Sequence, residues 1–137
     1  MAKTYIEGIN NNDKLKRVDN GVFEAAQAGI EYESPNQQGS IFGFVFRRYY
    51  AIPDGAGVGA SVNVSLGFTI TGDVVNLNGL CVVTLEGGGE WVPLPASDYG
   101  GGARNLELSI NTTTINIHGG SLLDWQAGGF ISVDYTK

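Results

Sequence analysis

The fold of this chain is constrained most by a strict alternation of apolar with polar or small residues in the stretch ASVNVSLGFTI. The apolar side chains lie two residues apart, at Val62, Val64, Leu66, Phe68 and Ile70. Successive side chains of a β-strand point to opposite faces of a sheet, whereas a helix repeats its apolar face every three or four residues. The stretch therefore predicts a β-strand that buries one face and exposes the other to water.

Two further stretches predict antiparallel hairpins. The segment LELSI alternates, and we expect a turn near Asn111 to pair it with a strand that contains Ile115 and Ile117. Asn78-Gly79 is a favoured two-residue hairpin turn, because both residues tolerate positive φ angles. It predicts that the segments on either side of it pair with each other.

The other apolar stretches extend this all-β pattern. The aromatic stretch FGFVFRRYYA ends before the turn signal PDG, and the sequence closes on an apolar segment from Phe130 to Tyr135. With 21 glycines available for tight turns, residues 41–137 are predicted to form about seven or eight short strands. The predicted fold class is all-β, an antiparallel jelly-roll-like sandwich.

Residues 1–40 differ from the rest and are predicted to be an irregular N-terminal arm or edge segment. They are rich in Asn and Gln and lack the two-residue alternation. Within them, residues 22–28 (VFEAAQA) predict one short helix that ends at Gly29. We therefore divide the chain into an arm, residues 1–40, and a sandwich domain, residues 41–137.

The charge distribution argues against a nucleic-acid partner. Residues 1–50 hold equal numbers of basic and acidic side chains, so residues 51–137 carry the whole net charge of −6. An acidic surface repels phosphate groups. No apolar run approaches the roughly 20 residues of a membrane helix, so we expect no membrane partner. Cys81 has no second cysteine to pair with, and its apolar neighbours predict a buried thiol.

Residues suited to catalysis or metal binding are few. His118 is the single histidine, which excludes a two-histidine metal site. Ser121 and Asp124 follow it, but the stretch lacks the strand-turn context of a nucleophile elbow. The glycine runs at 87–89 and 100–102 lack the Lys-Ser/Thr of a phosphate-binding loop. We therefore predict no catalytic, cofactor-binding or metal-binding residues, and a chain that is not an enzyme.

Three stretches together resemble a known group of proteins. They are WVPLP, then LELSINTTTINIHGG, and finally GGFISVDYTK. Their order and spacing resemble the C-terminal tip domains of bacteriophage fibre and receptor-binding proteins, over residues 60–137. The resemblance implies a small antiparallel sandwich that assembles as a trimer, with Trp91 packed at its top. It also implies that Pro93 and Pro95 hold an unpaired segment on a sheet edge, where a missing N–H costs little.

The same resemblance implies a virion protein. The short segment before the strands favours a decoration protein over a fibre tip. A fibre tip follows a long shaft, whereas this sequence begins at Met1 with only the arm before the sandwich. We therefore expect a capsid decoration, or cement, protein on the capsid surface. Its expected partners are the major capsid protein and copies of itself, as a dimer or a trimer. The predicted capsid or oligomer contacts are Lys14, Lys16, Arg17, Phe44, Phe46, Arg47, Arg48 and Tyr49.

An alternative function stays open, that of a receptor-binding tip on a tail or head fibre. Residues on apical loops would then meet a glycan or protein of the host surface, with aromatic rings against sugar faces. The predicted receptor contacts are Tyr99, Arg104, His118 and Trp125. Trp91 and Trp125 are equally compatible with positions in the core. A third class, a small enzyme or carbohydrate-active module, would depend on His118 or a carboxylate.

Overall fold

The computed structural model describes residues 15–19, 23–37, 43–55, 61–85, 88–95, 106–119 and 124–137. These residues form antiparallel sheets around one apolar core, which confirms the predicted all-β sandwich. The strands are β1 (Leu15–Lys16), β2 (Phe23–Glu24), β3 (Tyr32–Glu33), β4 (Phe46–Ala51), β5 (Ser61–Ser65), β6 (Val74–Leu85), β7 (Gly88–Leu94), β8 (Leu106–Ile110), β9 (Thr114–Gly119) and β10 (Asp124–Tyr135). A 3₁₀ turn covers Pro35–Gln37, and no helix in the described ranges is long and apolar enough to cross a membrane.

The strands are arranged in two main sheets. The larger sheet has the order β3-β4-β10-β6-β7, and the smaller has the order β5-β9-β8. The long strand β10 is central to the larger sheet, because it pairs with β4 on one side and β6 on the other. β1 and β2 form a short ladder, which an antiparallel bridge between Arg17 and Tyr32 links to β3. The first described residues therefore continue one edge of the larger sheet.

One core lies between the inner faces of the two sheets. Its fully buried side chains come from both, among them Ile117 of β9, Val83 of β6, and Trp125 and Ile131 of β10. Cys81 is 1% exposed in the same core, which confirms the predicted buried thiol. Removal of this apolar surface from water is the dominant favourable term in folding.

The alternation predicted over residues 62–70 is confirmed, since its apolar side chains all belong to the core or pack against it. The strand itself is shorter than predicted. It ends at Ser65, and Gly67 then adopts a φ of 75°, a backbone conformation that favours glycine. The predicted hairpin of LELSI is confirmed as the β8–β9 pair, which turns at Asn111.

The predicted hairpin turn at Asn78-Gly79 is wrong. Both residues lie inside β6, a continuous strand of 12 residues that pairs with β10 on one side and β7 on the other. Gly79 serves close approach rather than a turn, because a Cβ there would lie 2.3 Å from the carbonyl oxygen of Phe130. The register of β10 shifts nearby, between Gln126 and Gly129, as at a β-bulge.

The short helix predicted over residues 22–28 is wrong where the structure describes that stretch. It contains strand β2 and, at Ala28, a parallel bridge to β4. The Tyr32 hydroxyl holds the backbone between them: it accepts from the Gln27 N–H at 2.8 Å and donates to the Ala25 carbonyl oxygen at 3.3 Å. These tertiary contacts override the weak helix propensity of the stretch.

The described part of the arm is not irregular throughout. β3 is an edge strand of the larger sheet, with Tyr32 opposite Arg47 in β4. Tyr32 is 0% exposed, and Ser34 is also buried. Residues before position 40 therefore include a structural part of the sandwich edge.

Trp91 to Leu94 of the stretch WVPLP belong to β7, an edge strand of the larger sheet, and Pro95 follows the end of that strand. Pro93 lies opposite Leu80 in paired strands, so the implied lack of pairing is wrong at Pro93, although its place on a sheet edge is confirmed. An edge strand needs ladder hydrogen bonds on one side only, which is why it tolerates a proline. Trp91 is not packed into the sandwich, because it is 58% exposed.

Candidate interaction surface

The predicted contact residues of β4 lie on two opposite faces. Alternation along the strand places Phe46 and Arg48 on the inner face with the buried Tyr50. Arg47 and Tyr49 are on the outer face. No single flat partner reaches both sets, so we consider the two arginines separately.

On the outer face, Arg47 is joined to a buried carboxylate. Its Nε and Nη2 atoms donate to the two oxygens of Asp134 at 2.6 Å and 2.8 Å. Asn36 Nδ2 donates to the same carboxylate at 2.8 Å. Burial alone would lower the pKa of Arg47, but hydrogen bonds to Asp134 and Tyr49 raise that pKa above its ordinary value. The guanidinium therefore stays charged and is committed to an internal ion pair.

On the inner face, Arg48 is held in a polar cluster at one end of the sandwich. Its Nε donates to the Tyr135 hydroxyl at 2.9 Å, and its Nη1 donates to the Gly29 carbonyl oxygen at 2.7 Å. The guanidinium also lies 4.0 Å from the centre of the Phe68 ring, a cation–π contact. Burial disfavours the charge of Arg48, but the hydrogen bond to Tyr135 raises its pKa.

Glu31 links the N-terminal segment to the last residues of the chain in this cluster. Its carboxylate accepts from the Tyr135 hydroxyl and, at 2.8 Å, from the Lys137 ammonium group. Burial would raise the pKa of Glu31, but the hydrogen bonds from Lys137 and Tyr135 lower it. An open pocket of about 260 Å³ lies beside the cluster and is lined also by Thr69 and Thr71. Because its charged groups bond to one another, we assign the cluster a structural role.

The basic residues predicted to grip a capsid have acidic neighbours. Lys16 Nζ lies 3.1 Å from a carboxylate oxygen of Glu33, and Arg17 Nε lies 2.7 Å from one of Asp19. Each positive charge is therefore partly neutralised within the chain. Lys14 lies outside the described residues.

Among the predicted contacts that the structure describes, Phe44 is the most open to solvent. It is 62% exposed, and its ring centre lies 5.8 Å from that of Phe46. The Lys137 ammonium group lies 4.4 Å from the centre of the Phe46 ring, so that ring is covered from another side. Of this aromatic pair, only Phe44 offers a large exposed surface.

Of the four predicted receptor contacts, the structure describes His118 and Trp125, and these two do not share a surface. Tyr99 and Arg104 lie outside the described residues. Trp125 is 1% exposed, and its indole Nε1 donates to the carbonyl oxygen of Pro53 at 2.9 Å. Its predicted position on an apical loop is therefore wrong, because the large ring is more stable in the core once its N–H has a partner. His118 is partly exposed on the outer face of the smaller sheet.

His118 has a partner that the sequence does not reveal. Its Nδ1 lies 2.7 Å from the Oγ of Ser61, which is directly opposite in β5. Glu107 lies opposite His118 on the other side, in β8. The three residues form a polar row across an exposed sheet face. Ser121, the serine that follows His118 in sequence, lies outside the described residues.

A surface that the sequence analysis did not single out lies on the outer face of the larger sheet. The register places Phe130, Leu80 and Pro93 in one row across β10, β6 and β7. Val82 and Trp91 lie opposite each other in a second row, and the rings of Tyr49 and Phe130 are in edge-on contact at 5.8 Å. We call this surface the aromatic face. Its members are Tyr49, Leu80, Val82, Trp91, Pro93 and Phe130.

The aromatic face is uncharged and open to solvent. Trp91 is 58% exposed and Phe130 is 41% exposed, and the other members are exposed or half-buried. Since a large aromatic side chain presents about 150–250 Å², we estimate that the face exposes about 300–400 Å². Contiguous apolar patches of that size are often functional, and uncharged aromatic surface is typical of interface centres. This face is the strongest candidate for contact with another protein.

The sequence does contain a signal for the aromatic face. In the stretch LCVV, Leu80 and Val82 alternate with the buried Cys81 and Val83, so this part of β6 is apolar on both faces. An antiparallel strand with one face in water normally alternates apolar with polar residues. The local turn propensity of Asn78-Gly79, just before this stretch, masks the continuous strand and its second apolar face in the sequence.

Neither possible metal ligands nor comparisons with known proteins change the assignment of the aromatic face as the candidate interaction surface. Within the described ranges, no group of three or more His, Cys, Asp or Glu side chains could hold a metal ion. Comparisons of this chain with protein-family models, with curated proteins and with solved structures found no match.

Proposed function

We propose that this chain is a non-enzymatic structural protein of a bacteriophage particle and that it decorates the head surface as an oligomer. The resemblance carried by WVPLP and the two stretches that follow it supports the class of protein. The observation that carries the proposal is the aromatic face. A sandwich that keeps an uncharged, apolar surface open to water has a surface suited to contact with protein.

Such a protein would act by mass action. A ligand that binds only the assembled lattice lowers the free energy of that lattice relative to its separate subunits. The net charge of −6 would keep decorated particles soluble, because like charges repel. The aromatic face would supply the apolar contact of the assembly, and Phe44 would supply a second exposed ring.

The charged residues predicted to contact the capsid differ in whether they are available to bind it. Arg47 and Arg48 take no direct part, because internal partners engage both. Lys16 and Arg17 would have to exchange acidic neighbours of their own chain for those of a capsid subunit. Exposed ion pairs contribute little, with a median of about 0–1 kcal/mol, so we expect these two residues to add little to the stability of the assembly.

Cosedimentation with purified particles tests the proposal. We expect Trp91→Ala and deletion of residues 2–14 each to reduce the amount of bound protein. A longer deletion is unsuitable, because Tyr32 is fully buried and its loss would disturb the fold. Ser109→Ala, on the exposed face of the smaller sheet, is the matched control and should bind like the wild type. Wild-type protein that stays in the supernatant would contradict the proposal, and binding confined to tail fibres would favour a receptor-binding tip.

A further inference from the structure

We propose that the aromatic face is the contact between two copies of this chain, related by a twofold axis. The inference rests on the proposed function, because it specifies the oligomer in which the protein would decorate a particle. It names a second copy, rather than a capsid subunit, as the first partner of this surface.

The size of the aromatic face fits the centre of a small dimer interface. A specific interface buries about 800 Å² on each partner, and weak complexes bury less. The exposed 300–400 Å² estimated above from the size of aromatic side chains would form the apolar centre of such a contact. Neighbouring neutral side chains, such as the exposed Asn78, would form its rim. We therefore expect a weak, reversible dimer whose population rises with protein concentration.

Charge favours this face over the rest of the surface as the place where two copies meet. Each copy carries a net charge of −6, so two copies repel each other at a distance. The six residues of the aromatic face are all uncharged. Contact through this face therefore brings no like charges together at its centre and buries no unpaired ion.

The position of Pro93 favours stacking of faces over pairing of edges. β7 is an edge strand, and edge strands are the usual site for adding another strand. Pro93 lacks an N–H in the middle of the WVPLP stretch, so the ladder that a second copy could add there is incomplete. A twofold contact between sheet faces needs no backbone hydrogen bonds, and the two sheets would lie about 10 Å apart.

The two-residue spacing of Trp91 and Pro93 makes the face suitable for self-contact. Both side chains are exposed on the same side of β7, while Val92 between them is buried. In a twofold contact, both copies use the same residues, so each contact that one copy makes is repeated by the equivalent residues of its partner. The Trp91 ring of each copy would lie against Pro93 and Phe130 of the other, which buries the most exposed ring of the aromatic face.

Sedimentation equilibrium of the purified protein, without particles, tests the inference. We expect wild type to pass from monomer to dimer as concentration rises. Trp91→Ala should weaken dimerisation at least tenfold, because aromatic residues at an interface centre carry most of the binding energy. Ser109→Ala, on the exposed face of the smaller sheet and outside the aromatic face, should leave dimerisation unchanged. Thermal unfolding of both variants at low concentration confirms that each one folds.

Tryptophan fluorescence provides an independent measurement. Trp125 is buried in every state, so a change in acrylamide quenching with protein concentration reports on Trp91. We expect quenching to fall as the dimer forms. A protein that stays monomeric, a trimer, or equal weakening by both substitutions would overturn the inference. Failure of particle binding with an intact dimer would instead count against the proposed function alone.

Discussion

Asp134 and Arg47 lie opposite each other in β10 and β4, and their side chains form a two-point ion pair that is shielded from water. The Asp134 side chain is 0% exposed, and that of Arg47 is 14% exposed. A buried pair of this kind contributes little net stability when it is intact, but removing one partner leaves the other charge buried alone.

Asp134→Asn should therefore destabilise the fold strongly. We expect a loss of about 3–5 kcal/mol in the free energy of unfolding, measured by urea denaturation, because Arg47 keeps its charge without a counterion. Glu33→Gln is the matched control, since it breaks the partly exposed pair with Lys16 and should cost at most about 1 kcal/mol. Similar losses in the two variants would show that the burial of the Arg47 pair has no energetic consequence.

Glu31 should make stability depend on pH in the acid range. Its pKa is lower in the folded chain than the ordinary 4.5, so ionised Glu31 stabilises the fold above about pH 4.5. That contribution is lost as the pH falls through the folded-state pKa. We expect Glu31→Gln to be less stable at pH 7 by about 1–3 kcal/mol, since it loses charged hydrogen bonds. The stabilities of the two proteins should converge in acid, and parallel curves from pH 7 to pH 3 would contradict this role.

Gly79→Ala should disturb the centre of the larger sheet. The added Cβ would meet the Phe130 carbonyl oxygen at 2.3 Å, so β6 and β10 must move apart. We expect a loss of at least about 2 kcal/mol in urea denaturation, at the upper end of overpacking costs. Asn78→Ala, at the neighbouring exposed position, should cost less than about 1 kcal/mol. Equal costs at the two positions would contradict the continuous strand.

Cys81 should be unreactive while the chain is folded. It is 1% exposed, and burial raises the pKa of its thiol to about 11. Thiolate is the reactive form, so almost none is present near neutral pH. We expect a thiol-specific reagent to modify Cys81 only in urea, at a rate that follows unfolding. Rapid modification of the native protein would show that the core opens locally.

The strands were predictable because two-residue alternation reports directly on burial. The stretches 62–70 and LELSI alternate, and the structure places their apolar side chains in the core. The pairing between strands that are distant in the sequence was harder to predict. The turn propensity of Asn78-Gly79 is local, whereas its place in β6 depends on β10, which follows it by some fifty residues.

The candidate surface was harder to predict than the fold, because it too depends on residues that are distant in the sequence. Arg47 and Arg48 are adjacent in sequence and suggested one basic contact, but neighbours in a strand face opposite ways. Their acidic partners, Asp134 and Glu31, lie in other strands and segments. The aromatic face likewise depends on the register of three strands, and Phe130 and Trp91 become neighbours only when β10, β6 and β7 are aligned.

Immunogold labelling of intact particles, viewed by electron microscopy, tests the central claim most directly. Antibody raised against this protein should label the head surface of phage particles from the lysate that contains it. Trp91→Ala produced in place of the wild type should reduce that label, while Phe44→Ala should reduce it less. Particles without label, or with label only at tail or fibre ends, would contradict a decoration protein.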